Sequence, residues 1–220
     1  MTLKNTAENY GTIAKWLHWL TALLFLGSYM SVYYRHWFTE AKTPENWTAL
    51  QLHLSIGMTI GVIVLLRILW RMTNRSPDPE PGNSLEHLAA KIGHYALYAI
   101  MIIMPVTGYL GTGVATEYFF LFDIPSFKDT ALYEAWFALD MTFEEFEEPI
   151  DFIHKDILGA WVVWLLILGH VLAALYHHFI KGDRTLRRMT SGNQGNMPLR
   201  KVSPETICSN RGVGDYFSRK

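Results

Sequence analysis

The chain has 220 residues, of which 50% are hydrophobic and only 18% charged, below the roughly 25% charged residues of an ordinary soluble domain. Nineteen Lys+Arg against twenty Asp+Glu leave a formal net charge of -1, so no global basic field points to nucleic acid. The single cysteine, Cys208, excludes an intramolecular disulfide framework, an Fe–S cluster held by this chain alone, and any CxxC or CxxCH site.

The first ten residues are polar, and the apolar run after them carries His18, which is not the pattern of a cleaved signal peptide. Four segments then lack Asp, Glu, Lys and Arg: Trp16–Tyr34, Asn46–Leu66, Ile92–Thr116 and Ile157–Ile180. Each is rich in Leu, Ile, Val, Met and aromatics. Roughly 20 apolar residues at about 1.5 Å rise cross the hydrocarbon of a bilayer, so all four predict transmembrane helices. The expected fold class is therefore an all-α membrane protein, a four-transmembrane-helix bundle covering residues 1–189.

The connections differ in composition. Ser76-Pro77-Asp78-Pro79-Glu80-Pro81-Gly82 blocks a helix, because proline lacks the amide donor. The loop Glu117–Asp156 is both acidic, with eleven carboxylates, and aromatic; its rings suggest short surface helices at headgroup depth. The tail begins with Arg184, Arg187 and Arg188, suited to anionic lipid. Residues 190–220 then read as a tail that is mobile or docked on a partner. Fifteen of the nineteen basic residues fall on the side of the two termini and the proline linker. The positive-inside rule puts both termini in the cytoplasm.

Nine histidines are present, and His18, His53, His94, His170 and the pair His177/His178 lie inside charge-free stretches. An ionisable residue in a span is costly and so suggests function. Imidazole is the usual axial ligand of haem iron in electron transfer, and no cysteine nearby suggests another metal. Helical rise sorts the candidates by depth. His18 precedes Arg35 by about 25 Å, and His53 precedes Arg67 by about 21 Å. His154 stands at the outer entrance of the fourth helix, with His170 about 24 Å deeper. His18 and His170 thus share an inner layer, His53 and His154 an outer one, which predicts two stacked bis-histidine haems.

Two points stay open on geometry. Gly57, four residues after His53, either lets a porphyrin lie against the backbone or forms a G-x-x-x-G helix contact with Gly61. The sixteen residues between His154 and His170 leave about 160° on an ideal helix, whereas fourteen would leave about 40°. Either the helix is irregular before Gly159, with a bulge, or His154 is not a ligand. His94 suits a hydrogen bond to a haem carboxylate or backbone, and Gly108 with Pro105 reads as a kink. His36 and His87 read as solvated, and His177 and His178 suit a headgroup or propionate.

At these residues the chain resembles the prokaryotic cytochrome b561 family. The carrying motifs are Ala14-Lys15-Trp16-Leu17-His18-Trp19-Leu20, His53-Leu54-Ser55-Ile56-Gly57 followed by Arg67, and His94 with Tyr98 and Pro105-Val106-Thr107-Gly108. The most distinctive stretch runs from His170 through Tyr176-His177-His178-Phe179 to Asp183-Arg184-Thr185-Leu186-Arg187-Arg188-Met189. The resemblance implies a four-helix bundle of the bacterial inner membrane, two haem b groups, and electron transfer between a periplasmic reaction and quinone. It maps the ligands onto His18, His53, His154 and His170; the family usually separates the last pair by fourteen, and this chain departs from that.

The functional expectation is an integral membrane dihaem cytochrome b, an electron-transfer oxidoreductase. Its donor would be superoxide or a periplasmic redox protein, and its acceptor quinone. Arg35 is the best cation for drawing an anion to the outer haem, with a snorkelling role as the plain alternative. The acidic loop, which would repel superoxide, suits a basic protein donor. One rival is an electron-transfer subunit of a larger membrane complex docked through that loop. Another is a haem-free transport or scaffold protein, which predicts a colourless preparation.

Overall fold

The computed structural model describes residues 2–136 and 141–190. Its elements are α1 (Thr12–Phe38), α2 (Pro44–Thr73), α3 (Ser84–Leu110), strands β1 (Thr116–Tyr118) and β2 (Phe122–Ile124), a 3₁₀ turn (Phe127–Asp129) and α4 (Ala131–Trp136). A continuous helical stretch follows, built from α5 (Phe143–Phe152), a π-helix (Ile153–Val162), α6 (Val163–Tyr176) and a second π-helix (His177–Lys181). The short helix α7 (Thr185–Met189) ends the described chain. The expected tail, apart from residue 190, lies outside the described residues.

Local sequence sets the helix starts. Thr43 accepts from the Asn46 N–H with Pro44 at the first helical position, where a missing amide costs nothing. Asn83 with Glu86, and Thr142 with Glu145, form reciprocal capping boxes. The chain leaves the last membrane helix at Gly182, whose φ of 67° is the left-handed conformation that stops helices.

Among the described residues three helices are long and apolar enough to cross a membrane: Pro44–Thr73, Ser84–Leu110 and Phe143–Lys181. The last of these thus begins at Phe143, well before the charge-free stretch. α1 is as long as α3 at 27 residues, but its tyrosines, histidines, serines and threonines lower its mean hydropathy. It packs chiefly on α2. Ile60, Val64 and Met101 form the core, with Leu24, Phe25, Ile56, Ile68 and Tyr98 packed around them. Outside this seam Leu23, Leu65 and Leu165 are each more than 60% exposed, so the bundle's outer surface suits an apolar solvent.

The all-α expectation needs one correction. Residues 116–124 form an antiparallel hairpin with Tyr118 opposite Phe122, lying against α2 well inside the helix. A polar stripe on α2 receives it. Gln51 donates to the Ala115 carbonyl (3.2 Å) and accepts from the Glu117 N–H (2.8 Å). The Ser55 hydroxyl accepts from the Phe119 N–H (2.9 Å), and Thr59 meets the Tyr118 hydroxyl at 3.0 Å. Gln51 and Ser55 are fully buried. Non-helical backbone at membrane depth must find such partners inside the protein. The turn holds Phe119 and Phe120 at φ of 46° and 61°, a strained conformation for bulky residues. The expected headgroup-level rings also divide. Phe127 and Tyr133 are buried in a cluster with Phe143 and Phe146, while Phe120 and Phe122 are exposed.

At the other end the proline linker, the N-terminal segment and α7 form a cap. Glu80 binds Arg188 (2.7 Å) and Arg184 (3.3 Å), and Arg188 also donates to the Asp78 carbonyl (2.7 Å). Asp78 N–H donates to Ala7, and Trp19 Nε1 to the Met189 carbonyl. Two of the three early tail arginines are therefore engaged by a glutamate. Past Gly182, His177 pairs with the Asp183 carboxylate. Burial pushes the Asp183 carboxyl up, but the hydrogen bonds from His177 and Thr185 outweigh it and hold it below the usual aspartate range.

Two predictions follow from these contacts. Ser55→Ala leaves the Phe119 N–H without its partner and should lower stability by about 1 kcal/mol, read as a lower thermal midpoint in detergent; Gln51→Leu, which strands two backbone groups, should cost more. Asp183→Asn should lower stability at neutral pH by on the order of 0.5 kcal/mol, read again as a lower thermal midpoint. Because the folded carboxyl is the stronger acid, its contribution is present above the unfolded value of 3.8 and fades as pH falls through the lower folded value. Parent and variant midpoints should therefore converge under acid.

Candidate functional site

The outer layer brings together His53 from α2 and His154 from the π-helix, their ring centroids 6.4 Å apart. Each ring is held from behind. His53 Nδ1 lies 3.2 Å from the Ser28 carbonyl and 3.0 Å from its hydroxyl. A carbonyl only accepts, so Nδ1 carries the proton and Nε2 keeps its lone pair. His154 Nδ1 meets the Thr107 hydroxyl at 2.9 Å, and that hydroxyl also lies 2.8 Å from the Ile103 carbonyl. A threonine that donates to Ile103 accepts from His154, which gives the same tautomer. Holding one imidazole nitrogen so that the other is free is how proteins orient histidine ligands.

Space has been left between the rings. A cleft partly open to the outside is lined by Ser28, His53, Gly57, Gly108 and His154 among others. A Cβ built at Gly57 meets nothing within 4 Å, whereas one at Gly61 would rest 3.6 Å from Pro105. The two glycines therefore do different things: Gly61 is the helix contact, and Gly57 faces the cleft. Gly108 corrects the expectation of a simple kink. A Cβ there would stand 3.0 Å from His154 Cε1, so its bareness admits the ring.

The inner layer gathers three imidazoles. His170 of α6 lies 6.1 Å from His18 of α1 and 6.3 Å from His94 of α3, centroid to centroid. His94 thus belongs to the cluster, beyond the peripheral hydrogen bond expected of it. One turn along α3 from His94, the Tyr98 ring carries the guanidiniums of Arg67 and Arg71 at 5.7 and 5.3 Å. Neither arginine forms an ion pair among the described residues. Sequence reasoning passed over Arg71; its signal was the i, i+4 repeat of arginine at the end of an apolar helix. Arg35 donates to Asn46 (3.1 Å) and ties α1 to α2. His36 and His87 are exposed.

These distances bear on what the site can hold. Two imidazoles bound in line to one metal through bonds of about 2.0 Å, with about 1 Å from nitrogen to ring centre, stand roughly 6 Å apart. Both layers meet that spacing. Among the described residues no group of three or more His, Cys, Asp or Glu converges as a cage for a bare metal ion. The donor set is paired imidazoles, with a cleft beside the outer pair, which fits a metal that brings its own equatorial ligands. A haem is such a group.

Comparison with known proteins agrees with this chemistry. A family model described as prokaryotic cytochrome b561 matches residues 9–192. Cytochrome b561 homolog 2 of Escherichia coli strain K12 is 35% identical, over 86% of this chain and 95% of its own length. The probable superoxide oxidase CybB of Yersinia pestis is 27% identical, over 86% of this chain and 99% of its own. Heme A synthase of Rhizobium etli is 28% identical over 75% of this chain but only 44% of its own length.

Proposed function

The chain belongs to the prokaryotic cytochrome b561 family, haem-binding electron-transport proteins of the membrane, and on that premise we propose that it is a four-span dihaem cytochrome b passing electrons from a periplasmic donor to quinone. In this reading α1 is the fourth span, and both termini face the cytoplasm. His53 and His154 ligate the outer haem, and His18 and His170 the inner one. The observation that carries it is the paired imidazole spacing of 6.4 and 6.1 Å at two depths of one bundle.

Bound haem iron supplies a one-electron ferric–ferrous couple. The chain's own residues do the rest. Ser28 and Thr107 hold the outer rings in one tautomer with Nε2 free, Gly57 leaves room for a flat macrocycle, and Gly108 leaves room for the His154 ring itself. Arg67 and Arg71 offer two positive charges to the carboxylates of the inner haem. The apolar bundle sets the local dielectric on which a redox potential depends.

Superoxide, the substrate in the name of the Yersinia pestis relative, is one candidate donor. The eleven acidic residues between Glu117 and Asp156 disfavour an anion and favour a redox protein with a basic face. That observation also supports the reading in which this chain is a subunit of a larger redox complex. Neutralising those carboxylates should then slow reduction by the partner while reduction by dithionite is unchanged.

The test is haem b per chain in mild detergent, with a dithionite-reduced minus oxidised spectrum. Two haems per chain is the expected result. One haem would remove His154 from the ligand set, and none would overturn the cytochrome reading in favour of a haem-free transport or scaffold protein. His53→Ala and His154→Ala should each lose the same haem, and His18→Ala and His170→Ala the other. Arg67→Ala with Arg71→Ala should weaken retention of the inner haem by about 1.5–3 kcal/mol for each charge-assisted hydrogen bond lost, read as haem released during gel filtration.

A further inference from the structure

His154 and His170 are sixteen residues apart, and on an α-helix that spacing would point them about 160° away from each other. Both nevertheless face neighbouring helices inside the bundle, His154 toward His53 and Thr107, His170 toward His18 and His94. The reconciling element is the ten-residue π-helix Ile153–Val162. A π turn closes between residues i and i+5 and takes up one residue more than an α turn. Two such turns absorb two residues, so the sixteen-residue spacing covers the rotation of fourteen, leaving about 40°.

A widened turn needs outside support, and here it has two kinds. Gly159 stands five residues after His154, and a Cβ at that position would lie 2.8 Å from the His154 carbonyl oxygen. Only a bare residue fits that place in the turn. The Gly159 carbonyl, in its turn, accepts the Tyr29 hydroxyl of α1 at 2.8 Å. Tyr29 is itself held, its ring 4.7 Å from that of Trp164. Trp164 Nε1 donates to the Tyr33 hydroxyl at 3.0 Å. Two tyrosines one turn apart on α1 thus grip the junction where the π-helix passes into α6.

We propose that this grip, and the Tyr29–Gly159 hydrogen bond above all, sets the rotational phase of His154, which makes Tyr29 and Gly159 positioning residues for the outer imidazole pair. The inference rests on the reading of His53 and His154 as ligands of one haem. Without the pin, the freed carbonyl would return to α-helical pairing, and each residue regained by the helix would swing His154 by about 100° from His53.

The test uses the full-length protein in detergent, with haem per chain and the low-spin ferric signal in electron paramagnetic resonance as readouts. Tyr29→Phe keeps the ring and removes only the donor. It should alter the outer haem's low-spin signal and lower its occupancy, with the inner haem unchanged. Gly159→Ala should lose the outer haem as His53→Ala does. A variant lacking Lys155 and Asp156 has a fourteen-residue spacing that a plain α-helix satisfies. It should keep both haems, and Tyr29→Phe in that background should have no effect. This deletion and Tyr29→Phe decide the matter even where Gly159→Ala does not fold. An unaltered outer signal in Tyr29→Phe, alongside loss of one haem in His53→Ala, would overturn the inference and leave the ligand reading standing. Loss of the outer haem in the deletion would overturn it equally. Retention of both haems in His53→Ala would remove the ligand reading and the inference with it.

Discussion

An imidazole inside an apolar bundle is expensive unless its ring nitrogens are used, and the architecture of this protein is organised around using them at two depths. In the outer layer the rear nitrogens are spent on Ser28 and Thr107. The front nitrogens are left facing a cleft from which glycine has removed the side chains. Two rings facing each other across about 6 Å match the spacing that a planar metal complex between them would need. The family relationship and the geometry therefore support the same chemistry from independent directions.

The same rule, that buried polar groups must be paired, explains the hairpin. The chain could have crossed from α3 to the last helix outside the bundle. It runs back along α2 instead, where Gln51 and Ser55 receive its backbone and Thr59, one turn further on, meets the Tyr118 hydroxyl. The segment joining α3 to the hairpin contributes Thr112 and Val114 to the wall of the outer cleft, and Thr116 of β1 adds to it. A stripe that looks like ordinary small-polar helix packing is in effect a substitute strand, and the left-handed phenylalanines are what the tight return demands.

The cap formed by the N-terminal segment, the proline linker and α7 is a matter of charge more than of packing. Glu80, Asp78 and Asp183 take up arginine, backbone and histidine groups that would otherwise compete for any anionic partner of the inner layer. Arg67 and Arg71 are left over, stacked on Tyr98 beside the inner imidazoles. Their lack of a carboxylate among the described residues makes them the natural partners of a ligand that carries acids.

Much of this could be read from the chain alone. Runs of uncharged residues imply spans because length and hydropathy are one-dimensional properties, and rise per residue converts positions such as His18 and His53 into depths. Capping residues at Thr43, Asn83 and Thr142 declare helix starts by local hydrogen bonding. Rotation is another matter. It accumulates over every turn, so one residue of irregularity displaces a side chain by about 100°, and no residue pattern announces a π-helix. Whether His154 turns inward is decided by a tyrosine on another helix and by the lack of a side chain at Gly159, where a Cβ would crowd the His154 carbonyl. The division between Gly57 and Gly61, the role of Gly108 and the burial of Phe127 and Tyr133 likewise depend on which surfaces meet. Composition and spacing determine that this is a membrane bundle with histidines at two depths; only packing between distant segments brings those histidines face to face.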